Sequence, residues 1–476
     1  MNTQEIFINC CRGDLARVQN LVEQKEVDLN VRDQWDSTPL YYACLCGHEE
    51  LVKYLLEKGA KCEPNTFDGE RCIYGALTDK IRNTLKNFKV LPTNTKQRGL
   101  YQEFLRKLLE RGNHEDITFI VHGYIFTAHR CILHVRSAYF ADMLQNKWNG
   151  KDEIHLTHKL VQPEAFKLIL QYLYTGRMEV HLDHVEDCIR LARQCQLMNL
   201  LEMLEKEMRK IYQFETEKPS ISVTVISIVE SASDSKLEGN FEQLAVNSLP
   251  EELPGSFFSQ LPFQPESEQV SPDVCFIVEG YQFWCHQAFF CGRSDYFKTM
   301  IKDPFGETAI TGKNNPVVTV HDITPDTFIQ IIFYIYRNRC EITLENVHDV
   351  LFFADLYLLP GLKKQCGAEI AKYIDVDCVV EFLRIAQLFT LPRLEDACAE
   401  FVANNLDAVI EQEGFADLIQ QDAASVDGRE DCDSIPIIDD IRFYITNFIQ
   451  SYSDTAEANH KLNLIEDLLE GLGLDG

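Results

Sequence analysis

The chain has 476 residues, of which 45% are hydrophobic and 25% charged, and these values are typical of a globular protein of about three domains. Its net charge of −29 argues against nucleic acid as a partner, because a polyanion repels such a chain. The first residues, MNTQEIFINCCRGD, have neither the basic start nor the apolar core of a signal peptide. The most apolar stretches, such as 328–336, are too short to cross a bilayer, so we also expect no membrane partner.

The cysteines indicate a reducing compartment. There are 17 of them, an odd number, and they are scattered singly through patterned segments. This distribution favours small buried thiols over a disulfide framework. We therefore expect a cytoplasmic protein, with the nucleus left open as a second location.

A helical repeat opens the chain. The segment 36–60 reads DSTPLYYACLCGHEELVKYLLEKGA, in which Thr38, Pro39 and Leu40 begin a helix with proline in its first turn, where no backbone N–H is lost. Gly47 stands between two helices, where a left-handed cap is needed. The pattern resembles the ankyrin consensus, and matching residues recur 34 positions earlier and 33 later. The third unit departs most from the consensus and is interpreted as a degenerate cap.

Two later segments share one pattern at a constant offset of 157 residues. They begin at Asp116 and Asp273 and read DITFIVHGYIFTAHRCILHVRSAYFADML and DVCFIVEGYQFWCHQAFFCGRSDYFKTMI. Each predicts a strand, a tight turn at glycine, a second strand and helices. The similarity continues at an offset of 162, which predicts five additional residues near 309–315 in the second copy.

The order of motifs resembles a known fold. After the shared segment, the first copy has a strand, a helix opened by proline and the sequence YLYTG, and this order resembles the BTB/POZ fold. Residues 375–409 resemble the BACK helices that follow BTB domains in ubiquitin-ligase adaptors. Nearly the whole chain resembles the ankyrin-repeat and BTB/POZ domain-containing protein 1 family. The resemblance implies an α+β multidomain protein: a short ankyrin helical array, two BTB/POZ α/β domains and C-terminal BACK-like helices.

These segments define the predicted domains. They are the ankyrin repeats (1–90), the first BTB/POZ domain (98–212), a linker (213–265), the second BTB/POZ domain (266–373), the BACK-like helices (374–425), and an acidic loop with a C-terminal helix (426–476). The linker has low helical signal, but its apolar piece 221–229 is predicted to pair with a sheet edge as a strand. The segment 100–109 is predicted to be an amphipathic helix that docks the ankyrin array.

No catalytic, cofactor or metal constellation stands out. The nearest approach to a phosphate loop, between Gly306 and Lys313, has the wrong spacing and lacks the Ser or Thr that should follow the lysine. No cysteine pair has C-x2-C spacing. His129 and His286 recur in both copies, which favours a structural role. We therefore expect a non-enzymatic protein that needs no cofactor or metal.

The family resemblance implies a partner site. BTB domains of ubiquitin-ligase adaptors bind a cullin beside their third helix through a φ-x-E motif, in which φ is apolar. Counted from Phe297, the second copy has Phe305-Gly306-Glu307 at that place, whereas the first copy keeps the apolar anchor as Trp148 but lacks the carboxylate. We therefore predict that Phe305 and Glu307 bind a cullin scaffold, and that the chain recruits an unidentified substrate protein to a cullin-RING ubiquitin ligase.

Two other hypotheses stay open. One is a signalling scaffold, or a growth or developmental regulator, that uses the BTB domains only to oligomerise. The other is a nuclear co-repressor whose charged BTB pocket is formed by Asp116 and Arg130; the second copy has Asp273 but Gln287 in those places. Because BTB folds usually pair through a two-fold interface, the two copies are predicted to pair within one chain, with a homodimer as the competing arrangement.

Overall fold

The structure is a computed structural model that describes residues 2–23, 27, 29–33, 35, 37–58, 60, 62, 67–87, 100–217, 225–230, 236–250, 270–302, 308–310, 315–412, 414–425, 435–447 and 452–474. Two units make up the chain, Met1–Asn338 and Arg339–Gly476. No helix in the described ranges is long and apolar enough to cross a membrane.

Three helical hairpins form the N-terminal array. Their helices are α1 (Asn2–Arg12), α2 (Leu15–Glu23), α3 (Pro39–Cys46), α4 (Glu49–Glu57), α5 (Phe67–Gly75) and α6 (Asp79–Asn87). The Thr38 hydroxyl caps α3 by accepting from the Tyr41 N–H at 3.3 Å. Gly47 ends α3 with φ of 84°, and a Cβ there would lie 2.8 Å from Leu77 of the next hairpin. Glycine at this place therefore permits both the left-handed turn and the close approach of the hairpins.

The first α/β copy follows a single bridging helix. Its elements are α7 (Leu100–Arg111), β1 (Ile117–Val121), β2 (Tyr124–Ala128), α8 (Arg130–Arg136), α9 (Ala138–Gln145), β3 (Glu153–Leu156), α10 (Pro163–Thr175), β4 (Arg177–His181), α11 (Leu182–Gln194) and α12 (Met198–Glu217). The sheet order is β2-β1-β3, with β1 antiparallel to β2 and parallel to β3. Ile117, Phe119 and Val121 alternate along β1 and are buried, which fixes the inner face of the sheet.

The connection between the copies contains more structure than its sequence indicated. Strand β5 (Val225–Val229) pairs antiparallel with β4, which confirms the predicted strand; residues 221–224 lie outside the described ranges. The prediction of low helical signal was wrong, because α13 (Lys236–Asn247) forms here. It buries Leu237, Phe241 and Leu244 along one face, at a spacing that Gly239 weakens as a sequence signal.

The second copy repeats the hairpin and the parallel third strand of the first, and its sheet has one strand more. Its elements in the first unit are β6 (Val274–Val278), β7 (Tyr281–Cys285), α14 (Gln287–Arg293), α15 (Asp295–Lys302), β8 (Thr308–Ile310), β9 (Pro316–Val320) and α16 (Pro325–Arg337). The sheet order is β7-β6-β9-β8. Phe119 pairs with Ile154 in the first copy and Phe276 with Val318 in the second, so the offset at this strand is 164. The second copy therefore has more than the predicted five additional residues before this strand. Between this strand and the later region where the offset is 162, it has fewer residues than the first copy.

The two copies contact each other inside the first unit. Helix α7, which precedes the first copy, packs on α10 of that copy and on α14 of the second; α13, which precedes the second copy, packs on α16 and on α8 of the first. The rings of Phe104 and Phe289 lie 5.9 Å apart, and the Tyr101 hydroxyl donates to the Tyr336 carbonyl. A Cβ on Gly292 would lie 2.3 Å from the Phe104 ring, so glycine is what lets this ring approach α14. Each bridging helix thus joins both copies.

Helix α7 does not have the role predicted for it. We expected its apolar face to dock the ankyrin array, but Tyr101 and Phe104 contact the second copy. The array has its own core, which runs from Ile6 to Leu85 and contains no residue of α7. The amphipathic pattern predicted the helix correctly but could not identify what its apolar face meets.

The second unit is helical in its described part. Its elements are α17 (Val347–Leu356), α18 (Pro360–Ile370), a short 3-10 turn (Ala371–Tyr373), α19 (Val379–Leu388), α20 (Pro392–Asn404), α21 (Leu406–Val409), α22 (Phe415–Ser425), α23 (Pro436–Asn447) and α24 (Tyr452–Leu472). The hairpins α17–α18 and α19–α20 repeat at an offset of 32 residues, so buried Ala354 matches buried Ala386 and Leu359 matches Leu391. Helices α17–α18 and α19–α20 are therefore two copies of one helical hairpin.

Candidate protein-interaction surfaces

A buried histidine–tyrosine pair recurs at the same place in both copies. The Nδ1 of His129 lies 2.7 Å from the Tyr174 hydroxyl, which accepts from the His129 backbone N–H at 2.8 Å. His286 and Tyr336 repeat these contacts at 2.7 and 3.0 Å. Burial lowers the pKa of His286 to about 4, so this ring is neutral at physiological pH. These pairs tie the start of a helix to the core, which confirms the predicted structural role of both histidines.

The predicted charged pocket of the first copy is a loose pair at the surface. The Arg130 backbone N–H donates to Asp116 Oδ1 at 2.7 Å, but the guanidinium Nε lies 4.0 Å from Oδ2. The Asp116 side chain is 41% exposed, and the guanidinium also reaches Asp152 at 3.3 Å. An exposed pair of this kind stabilises the fold little. Its clearest contribution is the hydrogen bond that holds the start of α8 to the start of β1.

The second copy lacks the cation at this place. Asp273 Oδ1 accepts from the Gln287 backbone N–H at 2.7 Å, and Gln287 Nε2 donates to the Asp273 carbonyl at 2.8 Å. Burial, with a smaller contribution from the negative charge of Asp116, raises the pKa of Asp273 to about 6. The charges of Asp116 and Asp273 therefore interact between the two copies. At neutral pH the negative charge of Asp273 destabilises the folded chain.

The raised pKa of Asp273 predicts a pH-dependent stability. Because the folded-state pKa of about 6 exceeds the ordinary 3.8, the folded chain keeps a proton that the unfolded chain releases, and stability falls as pH rises through that window. Asp273→Asn keeps an acceptor oxygen for the helix start but carries no charge. We expect this variant to melt at a higher temperature than wild type at pH 7.5, and the difference to vanish near pH 4.

Thermal unfolding of the full chain at several pH values checks this. The lowered pKa of His286 gives the opposite slope, since its stabilisation is lost as pH falls from 6.5 towards 4. That contribution is present in wild type and variant alike and cancels in their difference. A gain that is the same at pH 4 and pH 7.5 would show that the Asp273 charge does not cause it.

The structure does not describe the predicted cullin motif. Phe305 and Glu307 lie outside the described residues. The counterpart in the first copy, Trp148, is buried, and its ring lies 5.6 Å from Phe119 and 6.0 Å from Phe140. Interpreting Trp148 as an apolar anchor open to a partner was therefore wrong, because this ring fills the core of the first copy.

An exposed apolar surface distinguishes the second copy. Phe352 and Leu356 lie one turn apart on α17 with 54% and 46% of their surfaces exposed, and Leu358, in the turn that follows, is 57% exposed. We call these three residues the α17 strip. In the repeated hairpin, Leu388 takes the place of Leu356 and is also exposed. Clustered apolar side chains of this size commonly mark interaction sites.

The first copy has polar residues where the second has the α17 strip. The offset of 162 matches the strip to Arg190, Gln194 and Gln196, all of them exposed. The backbone supports this alignment, because Gln196 and Leu358 both adopt a left-handed conformation, with φ of 56° and 54°. The two copies thus share a framework and differ in what they expose. At this position the second copy exposes apolar side chains and the first copy exposes polar ones.

Exposed aromatic residues mark the ankyrin array as another candidate surface. Trp35 and Tyr74 are largely exposed, and the Arg71 guanidinium lies 4.7 Å from the centre of the Tyr41 ring. Arg71 also donates to the Ser37 hydroxyl at 3.0 Å, which fixes it beside the Trp35 loop. Aromatic and arginine side chains dominate the binding energy of many protein interfaces. Sequence reasoning missed these residues, although exposed aromatics at repeat positions are the signal that identifies them.

Within the described residues, neither metal binding nor the thiols add a candidate interaction site. Within the described ranges, no group of three His, Cys, Asp or Glu side chains is arranged to hold a metal ion. The cysteines of that part of the chain are free thiols, most of them buried.

Comparisons with known proteins agree with this architecture. The BTB/POZ domain family matches residues 105–212 and 263–374, and the ankyrin repeats (3 copies) match residues 6–85. BTB/POZ domain-containing protein 3 of Schizosaccharomyces pombe is 29% identical over 99% of this chain and 89% of its own length. Ankyrin repeat-containing protein YIL001W of Saccharomyces cerevisiae is 28% identical over 93% of this chain and 89% of its own. The solved BTB (Tramtrack and Bric a brac) domain of human Gigaxonin aligns with 22% of this chain and 85% of its own, at 21% identity and a TM-score of 0.20.

Both domain types are protein-interaction modules, and their combination defines a protein-interaction adaptor. The chain belongs to the family of proteins that join ankyrin repeats to two BTB/POZ domains, as its sequence motifs predicted. The predicted α+β multidomain fold class is likewise confirmed.

Proposed function

We propose that the chain is a substrate adaptor of a cullin-RING ubiquitin ligase and that its second BTB copy binds the cullin. The observation that carries the proposal is the α17 strip, which presents apolar side chains where the first copy has Arg190 and two glutamines. Protein interfaces need such an apolar centre with a polar rim. The asymmetry gives one cullin-binding surface in each chain.

Two features of the sequence support this proposal. The φ-x-E motif, Phe305 to Glu307, belongs to the second copy, and the first copy lacks its carboxylate. The BACK-like hairpin α19–α20 follows the same copy, as it does in the ligase adaptors that the sequence resembles. The ankyrin array, with Trp35 and Tyr74 exposed, remains available to hold a substrate protein.

Capture of the N-terminal domain of a cullin by the full chain tests this function. The variant Phe352→Arg/Leu356→Gln/Leu358→Gln gives the second copy the residues of the first. Because losing one buried anchor typically costs about 2 kcal/mol, we expect its affinity to fall by more than about tenfold. Phe305→Ala/Glu307→Lys tests the motif separately and is expected to weaken capture as well.

The matched control is Phe443→Arg, which changes another exposed aromatic residue of the second unit, on α23. We expect this variant to capture the cullin like wild type. If the triple and double variants both capture as strongly as wild type, the assigned surface is wrong. If wild type captures no member of the cullin family, the ligase function is overturned in favour of a scaffold that uses its BTB folds only for pairing.

A further inference from the structure

The two copies differ at one edge of their sheets. In the second copy, β8 pairs antiparallel with the outer edge of β9, with Ala309 opposite Val317. The corresponding strand of the first copy is β3, where the register places Glu153 at the position of Val317. Strand β3 is the last strand of its sheet, and within the described part of the chain no strand pairs with its outer edge. The second copy thus shows what the open edge of the first can hold.

The backbone of β3 has N–H and C=O groups that can pair with an added strand. The Thr118 N–H of β1 donates to the Asp152 carbonyl at 2.8 Å, so Asp152 directs its carbonyl towards β1. Successive residues of a strand direct their N–H and C=O groups to opposite edges. Glu153 and His155 therefore direct theirs outward. In the second copy, Val317, at the place of Glu153, is the residue whose backbone faces β8.

The charge at this edge decides which strand it accepts. The side chains of Asp152 and Glu153 are exposed, and His155 Nε2 lies 2.8 Å from Glu153 Oε1. Like charges on an edge disfavour pairing with a second copy of the same edge. Arg130 lies 3.3 Å from Asp152 Oδ1, but the Asp152 side chain is 93% exposed, so together with Glu153 it attracts a strand that carries lysine or arginine.

We propose that the outer edge of β3 is a docking site for an extended, basic segment of a partner protein. The segment adds as an antiparallel strand beside Asp152–Ile154, as β8 does beside β9. Main-chain hydrogen bonds to Glu153 and His155 provide the affinity, and the carboxylates of Asp152 and Glu153 provide the preference for basic sequences. This binding is independent of cullin capture, because the α17 strip belongs to the other copy.

A labelled peptide of alternating lysine and valine residues, titrated into the full chain, tests the proposal. The chain is strongly acidic, so a basic peptide also experiences general attraction. The control is the same peptide with its alternate backbone nitrogens methylated, which keeps the charge but removes the N–H groups on the pairing edge. We expect the unmodified peptide to bind at least about tenfold more tightly than the methylated one and to slow hydrogen exchange in β3.

Variants of the chain test the edge itself. His155→Pro removes the outward N–H and leaves both carboxylates in place, and proline is tolerated on the solvent side of an edge strand. Because only the unmodified peptide can pair with the edge, we expect His155→Pro to weaken its binding more than that of the methylated peptide, and Asp152→Asn/Glu153→Gln to reduce binding of the unmodified one. Equal binding of both peptides to wild type would reduce the effect to general charge attraction and overturn the proposal, a result that requires no variant to fold.

Discussion

Replacing Arg136 with leucine is expected to destabilise the first unit by about 3–5 kcal/mol, because the change leaves a buried carboxylate without its cation. Arg136 Nη2 lies 2.9 Å from Glu230 Oε1, and the two side chains are only 3% and 6% exposed. Arg136 Nη1 also donates to Asn240 Oδ1 at 3.0 Å. The guanidinium therefore pairs with a nearly buried carboxylate and with a partly buried amide oxygen.

The pair matters because it holds the connection between the two copies on the first copy. Arg136 belongs to α8 of the first copy, whereas Glu230 follows β5 in the connection that leads to the second. Glu230 also accepts from the Tyr172 hydroxyl at 2.5 Å and from the Leu237 backbone N–H at 3.2 Å, so one carboxylate organises the start of α13. Loss of its cation should release β5 and α13 from the first copy.

Hydrogen exchange of the full chain measures this effect at the place where it arises. We expect Arg136→Leu to speed exchange in Val225–Val229, while α3 and α4 of the ankyrin array remain unchanged and serve as an internal control. The double variant Arg136→Leu/Glu230→Leu should be more stable than the single one, since it buries no unpaired charge.

Arg293 offers a matched comparison, because it lies 157 residues after Arg136 in the second copy. Its contacts include the rings of Tyr101 and Tyr334, at 4.7 and 4.5 Å, the Tyr334 carbonyl at 3.4 Å and Asn338 Oδ1 at 2.8 Å, and no ion pair joins it to a carboxylate of the described residues. Arg293→Leu should therefore cost less than Arg136→Leu. Equal losses of stability, with no faster exchange in β5, would show that the Glu230 pair has no special weight.

Local patterns predicted much of this fold. The alternation through Ile117, Phe119 and Val121 predicted β1, and the offset of 157 residues predicted its copy, because strand periodicity and turn chemistry are properties of neighbouring residues. Thr38 and Gly47 predicted the boundaries of α3 for the same reason. The strand in 221–229 was recognised because the segment consists of isoleucine and valine interrupted only by serine and threonine.

Features that depend on tertiary contacts were not predictable. Helix α13 has Gly239 in its first turn and forms because Phe241 is buried, with its ring 5.5 Å from Phe289 of the second copy. Trp148 was interpreted as a surface anchor, since a short loop motif does not reveal whether its aromatic ring turns inward. The α17 strip was also missed, because apolar residues in the helix pattern of Val347–Leu356 look alike until burial separates inner from outer ones.

The tandem arrangement predicts the mass of the protein in solution. One chain supplies both members of the BTB pair, with α7 and α13 each bridging the two copies. The covalent connection holds the copies at an effective concentration of around millimolar, far above ordinary protein concentrations. Pairing within a chain should therefore prevail over pairing between chains, even though a homodimer can form the same contacts.

Multi-angle light scattering of the purified full chain at micromolar concentration tests this claim most directly. Internal pairing predicts a mass near 54.8 kDa that does not change on dilution. A stable species of twice that mass would contradict it and would show that each copy pairs across two chains.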